Sequence, residues 1–347
     1  MNTDFQNFLV QHGATIEAGV AQHFGDAAAE LLAAKQSTVL CELGQFGTLR
    51  ASGEDAQSFL QNLLSNDIRE AGATRAQPSS FNSPKGRMLA SMTIWRDGDD
   101  YMLQLPRVLC EPMRKKLSMY VLRAKVKISD ASDEIISLGL SGENAREILG
   151  RQFGELPQRA FDLVGAERAS IIKIGDTRFQ INTTARHAQA LWQTLGQHAQ
   201  PAGSACWDWL NIRAGIPVIL PQTQEQFVPQ MVNFELIGGV NFKKGCYPGQ
   251  EIVARTQYLG KLKRRMYLAH LDSGEAPQPG DDLFSADMEG QASGMIANAA
   301  PAPGGGYDVL AVVQTSSRET QAVRWKSPGG VELTFLQPPY PLIAAEA

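Results

Sequence analysis

The stretch Asn241–Arg265 reads NFKKGCYPGQEIVARTQYLGKLKRR. Lys243, Lys244, Arg255, Lys261, Lys263, Arg264 and Arg265 are cationic and only Glu251 opposes them, on a chain whose net charge is −4. So local a concentration points to an anionic partner, a ligand carboxylate or a phosphate backbone; a solvated face is the other reading. Gly245, Pro248-Gly249 and Gly260 let the backbone turn tightly and approach a ligand closely. Cys246 lies inside this loop behind two lysines. Neighbouring positive charge stabilises a thiolate, which makes it the candidate reactive thiol among the four cysteines. Gln250 and Glu251 add polar groups able to fix the edge of a heterocycle. The same pattern also fits a structural loop around a buried thiol.

Beyond residue 265 the texture changes. Short β-prone runs (Met266–Leu271, Asp308–Val313, Val331–Phe335) alternate with Pro/Gly clusters at 279–281, 303–306 and 328–330, the pattern of a small all-β barrel over 266–347. On the N-terminal side, residues 1–240 mix helices with hairpins. The runs 87–96 and 101–105 flank Asp97-Gly98-Asp99-Asp100 and predict a hairpin. Residues 107–122, 185–197 and 206–214 predict helices, with Pro112 in an early turn or at a kink. Two stretches resemble each other, SGEDAQSFL from Ser52 and SGENAREIL from Ser141. Asp55 and Asn144 then read as helix N-caps, and the repeat suggests two related α+β halves split near 130–140; two unrelated helix starts fit equally. Residues 241–265 link these halves to the barrel.

Composition narrows the class. With 347 residues, 43% apolar and 20% charged, the chain can build two or three cores. Its acidic balance argues against a surface devoted to nucleic acid. No apolar run is long enough for a membrane helix, and the first cation is Lys35, which fits neither a secretory signal nor a transit peptide. A cytoplasmic protein with reduced, scattered cysteines and no metal site is expected.

The run Phe242-Lys-Lys-Gly-Cys-Tyr-Pro-Gly-Gln-Glu-Ile-Val-Ala-Arg255 resembles the signature of the YgfZ family, folate-binding proteins linked to iron–sulfur protein maintenance and tRNA modification. Asp55–Asp67, Phe81–Leu89, Ile212–Ile219 and Val228–Phe234 resemble the same family in the same order. The resemblance implies an aminomethyltransferase-like α+β fold, two α+β subdomains followed by a C-terminal β-barrel around a central channel. It implies tetrahydrofolate or a derivative as ligand, and iron–sulfur proteins or tRNA-modifying enzymes as partners. Trp207 matches a folate-associated tryptophan; Phe46 stands where a second one is expected and offers a weaker π-face. Lys244 and Arg255 would pair with the glutamate tail, Arg255 being the best placed.

Two departures count against aminomethyl transfer. Glycine-cleavage T-proteins carry acidic residues where this chain has Leu89 and Ala90, and a pterin-gripping glutamate where it has Arg213. Without carboxylates there, charge and proton cannot be steered in the same way. The leading reading is therefore a folate-binding accessory protein. A one-carbon transferase with another acid or base, and an RNA-binding protein using the 261–265 cluster, are the alternatives.

Overall fold

In a computed structural model, which describes residues 2–258 and 262–342, the chain divides into two compact units. The first comprises residues 1–60, 68–77 and 92–207, the second 61–67, 78–91 and 208–347.

The first unit is built around a six-stranded sheet in the order Leu163–Ala166, Ala169–Lys173, Arg178–Thr184, Ile135–Ser141, Val39–Glu42, Gln200–Ala202. Side chains alternate across it. Leu40, Leu138, Leu140, Phe179 and Ile181 share one face and form a core with Phe5, Leu9, Leu149, Leu191 and Trp192 of three helices, Thr3–Gln11, Ala145–Phe153 and Ala185–Gly196. Each such residue contributes roughly 1.5–3 kcal/mol by leaving water. The opposite face is polar: Gln104 donates to Ser137, Ser137 and Gln180 both donate to Asn182 Oδ1, and all four are buried.

The same unit holds the expected hairpin, with Asp97 opposite Asp100. Strand Phe46–Ser52 pairs with Asp100–Pro106 and with Lys127–Asp130. The helix after the hairpin is Arg107–Ser118, shorter than the sequence suggests. It buries Leu109, Cys110, Met113 and Leu117 on one face and leaves Pro112 on the exposed one.

The two similar stretches adopt the same local form, but not through caps. Asn144 makes no side-chain cap, and the Asp55 carboxylate accepts the Lys125 amide instead. The shared feature is the glycine. Gly53 and Gly142 both have positive φ, +112° and +135°, and each turns a strand end into a helix. A Cβ at Gly53 would stand 2.1 Å from Lys125 O, and one at Gly142 2.4 Å from Ser37 O. Only glycine meets both demands.

In the second unit, six strands in the order Arg324–Trp325, Asp282–Phe284, Ala292–Pro301, Tyr307–Gln314, Arg264–Leu271, Thr334–Phe335 curl into a C-terminal half-barrel. Its core includes Leu271, Leu283, Ile296, Val309, Ala311, Val313 and Trp325. Among the described residues, no helix is long and apolar enough to cross a membrane.

Candidate functional site

The cationic signature segment starts from an unusual burial. Lys244 is only 5% exposed, and its ammonium donates to the carbonyls of Gln61 (2.6 Å) and Leu64. It also lies 5.0 Å from the centre of the Tyr247 ring. A buried ammonium must have such acceptors, so Lys244 fastens the loop to residues 61–64. Gln250 opens the helix Gln250–Tyr258 and donates back to the Lys244 carbonyl (3.4 Å). Burial pushes the Tyr247 hydroxyl far above its usual range.

The other end of the loop rests on a glycine pair. Gly249 has φ +78°, and a Cβ there would stand 2.5 Å from Gly86 Cα, Gly86 N and Ser83 O. Gly86, at φ +71°, has equally little room: its Cβ would meet Ile252 Cβ at 2.9 Å. Gly86 belongs to the turn Ser83–Arg87, closed by Ser83 N donating to Arg87 O. Arg87 in turn donates to the carbonyls of Glu225 and Gln226. Two motifs more than 150 residues apart, FNSPKGRML and KKGCYPGQE, are thus pressed together backbone to backbone. Gly249→Ala is expected to destabilise the protein by about 2–4 kcal/mol, from left-handed strain plus overpacking. Gly245 lacks positive φ, and a Cβ there meets nothing within 4 Å, so Gly245→Ala should shift the urea midpoint hardly at all. Equal shifts in the two variants would contradict this account.

Between these anchors the Cys246 thiol faces solvent, whereas Cys41, Cys110 and Cys206 are buried. The buried-thiol reading of the loop therefore gives way. Arg255 and Glu251 are exposed on the following helix, and Arg255 makes no ion pair with any described residue. Lys243 and Lys85, from the two docked turns, are exposed as well.

Of the 261–265 cluster, Lys261 lies outside the described residues. Arg265 pairs with Glu235 and donates to Asn233 Oδ1, and Arg264 reaches the Ala292 carbonyl. Lys263 is exposed.

Trp207 and Phe46 lie in the first unit. The Trp207 indole, 3% exposed, rests on the polar face of the six-stranded sheet. A Cβ at Gly139 would come within 2.5 Å of the ring, so glycine is what lets the indole settle there. The Arg178 guanidinium stands 4.3 Å from the ring centre, a cation–π arrangement. Desolvation brings the pKa of Arg178 down to about 10. Phe46 is half-buried at a strand start, opposite Pro106.

Leu89 and Ala90 are buried in strand Met88–Asp97. Arg213 Nη1 lies 3.5 Å from Asp308 Oδ2, an oxygen that also accepts from Trp209 Nε1 (2.9 Å). The other Asp308 oxygen accepts from His270 Nδ1 (2.9 Å). Sequence reasoning missed this hub; its one visible signal is an aspartate at the head of an otherwise apolar strand. Among the described residues there is no group of three potential metal ligands.

The sequence profile of the GCVT N-terminal domain family matches residues 5–244. The tRNA-modifying protein YgfZ of Shigella boydii serotype 4 is 33% identical over 252 residues, 72% of this chain and 77% of its own. That of Escherichia coli O45:K1 matches to the same extent. In fold, the chain is similar to the glycine cleavage system aminomethyltransferase T from Bartonella henselae, with a TM-score of 0.79, 16% identity, and coverage of 98% of this chain and 97% of the other.

Proposed function

The chain belongs to the YgfZ family, within the proteins carrying the GCVT N-terminal domain, and from that membership we propose that it binds a reduced folate and serves tRNA modification as an accessory to iron–sulfur enzymes, with Cys246 as its reactive thiol. The observation that carries the proposal is the selective exposure of Cys246. One thiol of four meets solvent, from a loop pinned at one end by the Lys244 ammonium and at the other by the Gly86–Gly249 contact. Fixing a nucleophile on a rigid, solvated loop is what a chemical role requires, whereas a packing role would bury it.

Orphaned polar groups support the folate part. Gln77, in the same unit as Trp207 and Phe46, has both amide atoms buried without a hydrogen-bond partner. Native proteins leave few such groups unsatisfied, and amide groups of this kind match the edge of a pterin. Trp207 and Phe46 would supply aromatic surface. When bound, the folate supplies a one-carbon carrier. Lys244 serves Cys246 by holding its loop. Leu89, Ala90 and the Asp308-bound Arg213 bring no free carboxylate to the positions a T-protein uses, which disfavours aminomethyl transfer.

The test joins two measurements. Tetrahydrofolate should bind with a Kd in the micromolar range, about −7 to −8 kcal/mol, quenching Trp fluorescence, and Trp207→Ala should weaken it. In a bacterial strain lacking its YgfZ protein, the parent chain should restore tRNA modification, read by mass spectrometry of digested tRNA. Cys246→Ser should keep the thermal melt and folate affinity yet fail to restore it. Full rescue by Cys246→Ser at matched protein level refutes the thiol's role, and absence of folate binding refutes the ligand.

A further inference from the structure

We propose that the loop following helix Arg107–Ser118 is a docking surface for RNA, with transfer RNA as its occupant; this rests on the tRNA-modification reading above and assigns the contact to a surface far from the signature loop in sequence. The segment Arg114–Lys127, RKKLSMYVLRAKVK, holds six cations and no acidic residue. Three of them are engaged by carboxylates: Glu111 takes Arg114 and Lys115, and Glu54 takes Lys125. Lys116, Arg123 and Lys127 make no ion pair with any described residue. On a chain of net charge −4, such a patch is complementary to a polyanion.

The apolar side chains in the same loop make the choice more specific. Met119 is 69% exposed, Tyr120 40% and Leu122 89%. Leu122 holds φ +45°, a left-handed conformation that a leucine adopts only under strain. The strain is imposed by tight turns: Tyr120 N donates to Leu117 O, Val121 N to Ser118 O and Ala124 N to Val121 O. The loop is also clamped from below, since the Asp55 carboxylate takes the Lys125 amide and Gly53 packs against the Lys125 carbonyl. The result is a loop fixed by its turns and by Asp55, with exposed apolar side chains flanked in sequence by cations. Packing within the unit gains nothing from a leucine turned into water, so the strain implies an external partner. Leucine and methionine wedges between bases, an aromatic ring able to stack, and cations on flanking phosphates form a recurrent mode of nucleic-acid binding.

The experiment uses the full chain and a fluorescein-labelled, unmodified tRNA transcript, followed by anisotropy at several salt concentrations. Lys116→Glu/Arg123→Glu/Lys127→Glu should weaken binding at least tenfold and flatten the dependence of log K on log salt by about 2–3, since each phosphate contact contributes about 0.7–0.9. Leu122→Ser should weaken binding several-fold with the salt slope unchanged. A control with the same change in net charge at other exposed cations, Lys35→Glu/Arg168→Glu/Arg186→Glu, should lose less than threefold. Equal losses in the two triple variants would reduce the effect to net charge and overturn the proposal. So would binding to phosphatidylglycerol vesicles with none to tRNA, which would make the loop a membrane contact. Tetrahydrofolate titration of the same variants separates the two readings: folate affinity should persist in all of them. Loss of folate binding in the parent, with the tRNA pattern intact, would count against the ligand and leave this surface standing.

Discussion

Asp308→Ala is expected to lower the stability of the second unit by about 3 kcal/mol, the larger part of what removing one partner of a buried ionic cluster costs. Asp308 is 5% exposed and serves three donors from two elements: Trp209 Nε1 and Arg213 Nη1 on helix Ser204–Arg213, and His270 Nδ1 on strand Arg264–Leu271. Removing the carboxylate strands the Trp209 N–H in a buried place, which alone costs about 1–3 kcal/mol. The Arg213 share is small, because its side chain is 41% exposed and water screens the pair. Asp308→Asn keeps one carbonyl acceptor and should lose about half as much. In calorimetry, the shift should appear as roughly 6–12 °C in the transition that Trp209 fluorescence follows. A shift of a degree or less would place Asp308 among ordinary surface residues.

The sequence made some of these features visible and hid others, for identifiable reasons. The hairpin around Asp97–Asp100 and the half-barrel strands were legible because their signals are local: β-prone runs bounded by turn residues. The signature loop was legible as a Gly/Pro-shaped turn, and Gly249 does the conformational work expected of it. Lys244 was not. Read as charge, it predicts pairing with an anion, but its ammonium ends on carbonyls some 180 residues earlier in the chain, which no local pattern announces. Arg265 likewise finds Glu235 through tertiary packing. Strand Val39–Glu42 joins a sheet formed by residues 135–202, pairing in parallel with Gln200–Ala202 at one side. Such crossovers are decided by cores and not by neighbours in sequence. The helix caps at Asp55 and Asn144 were misjudged for a related reason: glycines two residues earlier already set the chain's direction, and the Asp55 side chain turns to the Lys125 amide instead.

That same strand carries the remaining test. Glu42 follows Leu40 by two residues and so faces the apolar side of the sheet, where it is 2% exposed. Its Oε2 has no hydrogen-bond partner. Burial raises its pKa from 4.5 to about 7, with the Gly44 amide, the Arg107 charge and the Ala21 amide pulling it only partly back. The sign then follows from proton counting. Below about pH 4.5 the carboxyl is protonated in both folded and unfolded chains and contributes nothing. As pH rises toward 7 the unfolded chain releases the proton while the folded one keeps it, so stability falls; above 7 the loss is complete. A gap of this size corresponds to about 3 kcal/mol at 1.36 kcal/mol per pKa unit. Glu42→Gln has nearly the same shape and no charge to bury. It should therefore stand at or slightly below the parent at pH 4, by what the amide's unsatisfied N–H costs, and exceed it at pH 8 by about 2–3 kcal/mol. Urea midpoints of the two proteins from pH 4 to 8 check this, because subtracting one curve from the other cancels every other titrating group. Parallel curves would mean that the Glu42 carboxylate is ionised without penalty in the folded chain. Divergence between pH 4.5 and 7 identifies it as a charge the core holds at the expense of stability.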